Sequence, residues 1–184
     1  MQTFQTGPAD GTLTLHTTVE GKAAKMGHAL TIELADWSAT TVLDGDEPTS
    51  VTLRARLASL TVVKGDGGVK ALSDKDKQSI RDNALGSLKA AQHPDVTFTS
   101  SSAAPSDGGW DLAGDLAVAG VARPTSVHVD VTAAGERLAL LATVPVVQTE
   151  HGVKPYSAML GGLKVGDRVE VRLTATVARP WPPG

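Results

Sequence analysis

The sequence predicts an all-β fold: antiparallel strands forming a sandwich or barrel, with one helix. Three observations carry this. Short runs alternate apolar and polar residues with period two, and clusters of Gly, Asp and Pro separate them. The third is an exception, one polar stretch whose apolar residues recur at helical spacing. Successive strand side chains point to opposite faces, so alternation means one buried face and one wet face. Buried parallel strands would read as continuous apolar runs instead.

The elements follow in order. Thr12-Leu13-Thr14-Leu15-His16-Thr17-Thr18-Val19 alternates, and so does Leu30-Thr31-Ile32-Glu33-Leu34, with Trp37 after it. A turn falls at Asp44-Gly45-Asp46. The next run sets Val51, Leu53, Ala55 and Leu57 on one face and Arg54 and Arg56 on the other. Gly65-Asp66-Gly67-Gly68 reads as a turn at a strand end. From Ser73 the pattern changes: Ile80, Ala84, Leu85 and Leu88 form a narrow apolar stripe on a charged segment. Ser73 is the N-cap, with Asp76 three residues on, which predicts a helix over about 74–88. Val96-Thr97-Phe98-Thr99 returns to a strand. Turns follow at Ser106-Asp107-Gly108-Gly109 and Ala133-Ala134-Gly135-Glu136. Val127 to Val131 and Val169 to Val177 alternate most cleanly. A short helical turn is expected near 156–163. The tail from Ala178 to Gly184 holds Pro180, Trp181, Pro182 and Pro183 and cannot continue a strand, because proline donates no ladder hydrogen bond.

Composition excludes several functions. With 184 residues the chain is expected to be one domain over 1–184, with its core at about 11–178. Zero cysteine removes thiol catalysis, disulfides and cysteine-ligated zinc. A net charge of −3 argues against nucleic acid as a partner. No window approaches the roughly 18 apolar residues of a membrane span. The amino terminus lacks a basic and then an apolar region, so the expected compartment is cytoplasmic, or periplasmic or secreted if a signal has been removed.

Motifs for chemistry are absent. Gly65-Asp66-Gly67-Gly68 lacks the Lys-Ser/Thr of a phosphate-binding loop, and there is no G-x-S-x-G elbow. His16, His28, His93, His128 and His151 show no metal-ligand spacing, so no metal site is expected. His16 reads as outward, and His128 as solvated between Val127 and Val129. His93 precedes a proline, and His151 lies in a loop. His28 shares parity with Leu30, Ile32 and Leu34. It is either a hydrogen-bonded interior histidine or a polar anchor for a ligand head group. The pairs Asp44/Asp46 and Asp74/Asp76 read as solvated acids of turns and a helix start.

The stretch His93-Pro94-Asp95-Val96-Thr97-Phe98-Thr99-Ser100, followed by Gly114-Asp115-Leu116-Ala117-Val118-Ala119-Gly120-Val121-Ala122-Arg123-Pro124, resembles the YceI-like family. So do the helix that leads into it, the opening Ala24-Lys25-Met26-Gly27-His28 to Ile32, and the closing stretch from Lys154 to Val171. The resemblance covers about residues 11–178. It implies a lipocalin-like, extended antiparallel β-barrel of about eight strands, enclosing a long apolar tunnel. It implies a bacterial binder of polyisoprenoids, isoprenoid quinones or fatty-acid-like amphiphiles. Many members carry a signal peptide, and this chain departs there.

Given such a tunnel, parity supplies candidate liners: Leu30, Ile32 and Leu34; Leu53; Val96 and Phe98. The later runs add Leu116 and Val118, Val129 and Leu173. Simple core packing is the alternative for each. Tyr156, Met159, Leu160 and Leu163 form either a flexible mouth or a plug. The expected function is non-catalytic binding, sequestration or transport of an isoprenoid or other long-chain lipid, with no cofactor. His28 and Tyr156 would sit nearest the head group. The rivals are an isomerase- or hydrolase-like enzyme in the same cavity and a filled-barrel interaction module. A two-fold homodimer is the assembly to test first. Of six aromatic residues only Trp37, Phe98, Trp110 and Tyr156 fall within the barrel, apart from Phe4 and Trp181 in the terminal segments. A ligand supplying part of the core would account for that scarcity.

Overall fold

The computed structural model describes residues 1–179, so the tail 180–184 and the reading of it, Trp181 included, lie outside the described residues. The strands are β1 (Gln2–Thr6), β2 (Gly11–His16), β3 (Val19–Glu20), β4 (His28–Leu34), β5 (Trp37–Asp44), β6 (Glu47–Arg56) and β7 (Leu60–Gly67). Helix α1 (Asp74–Ser87) follows. Then come β8 (Asp95–Ser106), β9 (Gly109–Val118), β10 (Val121–Ala134), β11 (Arg137–Val147), β12 (Ser157–Ala158), β13 (Leu163–Val165) and β14 (Arg168–Ala178). Eleven strands make one antiparallel sheet in the order β1-β5-β6-β8-β9-β10-β11-β14-β2-β4-β7. A small second sheet runs β12-β13-β3.

The large sheet curls strongly into a half-barrel, but its edge strands β1 and β7 share no ladder. The expected closed barrel of about eight strands is therefore corrected to an open curl of eleven. The reason is a corner in the chain. β4 and β5 are interrupted only by Ala35 and Asp36, and β6 and β7 only by Leu57–Ser59. On one side of the corner Trp37 pairs with Ala55; on the other Leu34 pairs with Leu60. The two halves of this bent hairpin go to opposite ends of the strand order. Ser59 fixes the bend: its Oγ accepts from the Asp36 N–H at 2.9 Å and donates to the Arg56 carbonyl at 2.7 Å.

Helix α1 covers the open edge. An unpaired edge strand exposes a row of polar groups that proteins must cap. Lys77 Nζ donates to the Val63 carbonyl at 2.9 Å, and Arg81 Nε donates to the Leu60 carbonyl at 2.8 Å. Ile80, Ala84, Leu85 and Leu88 pack against the main core, so the sequence stripe faces inward. Ser73 and Asp76 form the expected capping box: the Ser73 Oγ accepts from the Asp76 N–H and the Asp76 carboxylate accepts from the Ser73 N–H.

Two further expectations change. Gly65–Gly67 is not a turn but the paired end of β7, with Gly67 opposite His28. The expected helical turn at 156–163 is broken up. Ser157 and Ala158 pair with β13, and Met159–Gly161 forms a single tight turn in which Met159 and Leu160 both have φ near +50°. Left-handed backbone at two consecutive non-glycine residues cannot propagate a right-handed helix.

Candidate functional site

Alternation along the curled sheet aims one row of side chains from each strand at a common centre. They enclose a cavity of about 410 Å3. On β4, His28, Leu30, Ile32 and Leu34 all line it, six residue steps and so about 20 Å at strand rise. A round chamber of this volume would not reach so far, so the space is long and narrow.

Most of the sequence-derived liners meet here. Leu53 enters from β6, and Val96 and Phe98 from β8. β9 supplies Leu116 and Val118, β10 supplies Val129 and β14 supplies Leu173. Tyr156 and Leu163 stand at the rim with Val19, Met26 and Gly27. Met159 and Leu160 are the exceptions: neither lines the cavity, and Leu160 is fully exposed. The left-handed turn keeps both out of the cavity and in solvent.

Other liners went unread in the sequence. Leu13 and Leu15 enter from β2, a strand from which no liner was expected; Val127 on β10 shares parity with Val129, and Val169 and Val171 on β14 with Leu173. Val144 and Val146 alternate with Ala142 along β11, across Pro145. Helix α1 adds Ile80 and Ala84, its C-cap Leu88 continues the apolar stripe, and together they roof the cavity. Among the liners the aromatic rings are Phe98 and Tyr156 alone, so aliphatic side chains dominate the walls.

The polar liners are few and mostly already bonded. Thr17 Oγ1 accepts from the Leu30 N–H at 3.0 Å, and Gln148 Nε2 donates to the Gly166 carbonyl at 2.9 Å. His28 lines the cavity at its mouth, and its Nε2 donates to the Lys70 carbonyl at 2.8 Å. His151, read as a loop residue, does lie in a short turn, yet only 3% of it is exposed. Its Nδ1 donates to the Val121 carbonyl at 2.9 Å and its ring lines the cavity. No alternation marks this position, because the turn and the left-handed Gly152 set it. No Asp or Glu lines the cavity among the described residues, nor do three His, Asp or Glu side chains gather as a metal would need.

None of the remaining histidines lines the cavity, and His93, half-buried before Pro94, has its ring beside Gly120. His16 Nε2 lies 3.0 Å from Thr14 Oγ1 on the outer face. His128 is solvated as expected, with Nδ1 2.6 Å from Asp111 Oδ1 and Nε2 3.3 Å from Asp130 Oδ1. The Asp111 hydrogen bond holds its pKa above the usual histidine value and holds the Asp111 carboxyl below its own.

A YceI-like domain model matches residues 9–177. No curated protein matches the chain. The fold is similar to that of BcnA from Burkholderia cenocepacia, with a TM-score of 0.69 at 19% identity over 93% of this chain and 98% of that one. It is also similar to a Campylobacter jejuni YCEI protein, with a TM-score of 0.61 at 13% identity over 82% of this chain and 85% of that one. Identities this low establish a shared fold alone. The match over residues 9–177 places the chain in the YceI-like family, whose fold is a lipid- and isoprenoid-binding one and whose members are generally non-catalytic.

Proposed function

We propose that this protein reversibly binds one long-chain amphiphile, of isoprenoid or fatty-acid type, and carries or sequesters it without chemical change. The observation that carries the reading is the long apolar cavity of about 410 Å3, lined from Leu34 at one end of β4 to His28 at the other. An apolar cavity of this kind excludes water and takes up apolar guests. Burial contributes about 0.8 kcal/mol per CH2, so each five-carbon isoprene unit adds about 4 kcal/mol before association costs. The tail lies along Leu30, Ile32, Phe98 and Leu173, and the head group rests near His28 and Tyr156.

The rival readings have less support. General acid–base chemistry needs a positioned proton donor and acceptor. The cavity walls carry no carboxylate among the described residues, and the His28 Nε2 is occupied by the Lys70 carbonyl. A filled interaction module would leave no such volume. Native mass spectrometry of freshly purified protein tests the proposal, with organic extraction to identify the guest. The expected result is a bound hydrophobic mass, and the same spectrum reports the subunit count. Protein that emerges without lipid and takes up no added isoprenoid quinone would sink the reading.

A further inference from the structure

Apolar side chains cluster in solvent around the mouth of the cavity. Leu160 is fully exposed, and Met159, Met26 and Tyr156 are 56%, 52% and 43% exposed. Met26 and Tyr156 also line the cavity, so the exposed patch is continuous with its interior. The segments are held together: the Ala23 N–H donates to the Gly162 carbonyl at 2.7 Å and the Val165 N–H to the Tyr156 carbonyl at 2.9 Å. Across the mouth, Val69 is 80% exposed beside Gly68, on which the His28 ring rests. Exposed apolar residues that gather at one place mark an interaction surface.

The backbone keeps this patch outward at a cost. Met159 and Leu160 both sit at φ near +50°, a region that non-glycine side chains rarely adopt. Their side chains gain no burial in return.

Charge supplies the second, independent observation. The rim segments 21–27, 67–72 and 153–165 hold Lys22, Lys25, Lys70, Lys154 and Lys164 and no Asp or Glu, in a chain of net charge −3. Of these, Lys164 alone has an acid within ion-pair distance among the described residues, Glu20 at 3.7 Å. Apolar tips flanked by lysines, four of the five with no acid within ion-pair distance, are the pattern of a surface that rests on anionic lipid headgroups and dips its apolar groups below them.

We propose that the mouth docks on an anionic lipid bilayer, with Met159 and Leu160 inserted and the lysines on the headgroups. The guest then passes between membrane and cavity without crossing water. This rests on the lipid-binding reading for its purpose, but not for its test. The apolar pair supplies depth and the lysines supply attraction, each lysine being worth about a fivefold change in affinity near an anionic surface.

Flotation of the full chain with vesicles tests it. Vesicles of equal parts phosphatidylglycerol and phosphatidylcholine are expected to carry the protein up the gradient. Phosphatidylcholine alone should bind at least tenfold less, and added salt should release the protein by screening. Met159→Asn with Leu160→Asn removes the apolar tips while keeping residues that tolerate the left-handed backbone. That variant should bind at least tenfold less, with its unfolding midpoint unchanged. Lys22→Gln with Lys25→Gln should weaken binding and flatten its salt dependence. No flotation, or flotation indifferent to both variants, overturns the proposal. So does a dimer that buries Leu160, or a requirement for a second protein at this rim. Because flotation needs no guest, a protein that carries lipid but does not float sinks docking alone. One that floats but never holds lipid sinks the carrier reading alone.

Discussion

The His28 imidazole rests against the backbone of Gly68, and its Nε2 lies 2.8 Å from the Lys70 carbonyl oxygen. Gly68 has φ +72°, and a Cβ there would overlap the ring. Glycine at this position thus sets where the mouth histidine sits. Gly68→Ala should strain the backbone and push His28 off the rim, at a stability cost of about 1–3 kcal/mol. Urea unfolding measures the cost. Faster release of a bound lipid would show that the mouth has loosened, and an unchanged release rate would mean that His28 does not guard it.

Filling the cavity separates binding from folding. Ala142 is buried, lines the cavity and pairs with Leu173 across β11 and β14. Ala142→Phe places a ring in empty volume, so overpacking strain should be small. The expected outcome is at least a tenfold loss of lipid uptake with the unfolding midpoint held or raised. A fall in both together would show that position 142 has no free space before it.

Much of this cavity was legible in the sequence because a strand's parity decides which face a residue takes. Val51, Leu53, Ala55 and Leu57 all line the cavity while Arg54 and Arg56 point to solvent, as alternation requires. Parity failed where the backbone left the strand. Met159 and Leu160 are apolar and adjacent to Tyr156, yet a left-handed turn reverses their direction. His151 is hidden from pattern analysis for the same reason, since a tight turn buries it. The open edge was also illegible. It depends on Lys77 and Arg81 reaching carbonyls of β7, contacts between segments that no local period encodes.

The roof helix should be the cavity's weak wall. Its capping box joins Ser73 and Asp76, and Ser73 holds the Asp76 carboxyl below the usual carboxylate range. Ser73→Ala should cost about 1 kcal/mol, as lost N-caps do. Hydrogen exchange should rise first in the opening turn of α1. The sign for pH follows from the lowered pKa: the Asp76 contribution is present above the ordinary carboxylate value and is lost as pH falls through the folded one. A variant lacking the Ser73 hydroxyl should therefore lose less stability in acid than the parent.

His128 predicts a pH effect of opposite sense. Hydrogen bonding to Asp111 raises its folded pKa, so its contribution is complete below the unfolded value of about 6.5 and fades as pH rises through the folded value. Stability measured between about pH 6 and 8 should slope downward from this group, and His128→Gln should remove that part of the slope. The pair lies on the outer face, so lipid uptake should not change. NMR titration of the ring gives the direct check, and a midpoint at or below the free value would contradict the Asp111 pairing.

His151 joins the wall to the mouth-side loop through one hydrogen bond in a nearly dry place. Only 3% of the residue is exposed, and Nδ1 donates to the Val121 carbonyl. The carbonyl can only accept, so that nitrogen carries the proton. In His151→Leu the part-buried carbonyl loses its donor, which costs about 1 kcal/mol. His151→Asn retains an N–H donor within a smaller side chain and should recover part of that loss. If both variants lose the same stability, packing volume rather than the hydrogen bond holds this turn. Lipid uptake gives the second readout: equal affinity in the parent and His151→Asn would restrict the histidine to the wall, whereas a weaker Asn variant of unchanged stability would place the imidazole against the guest.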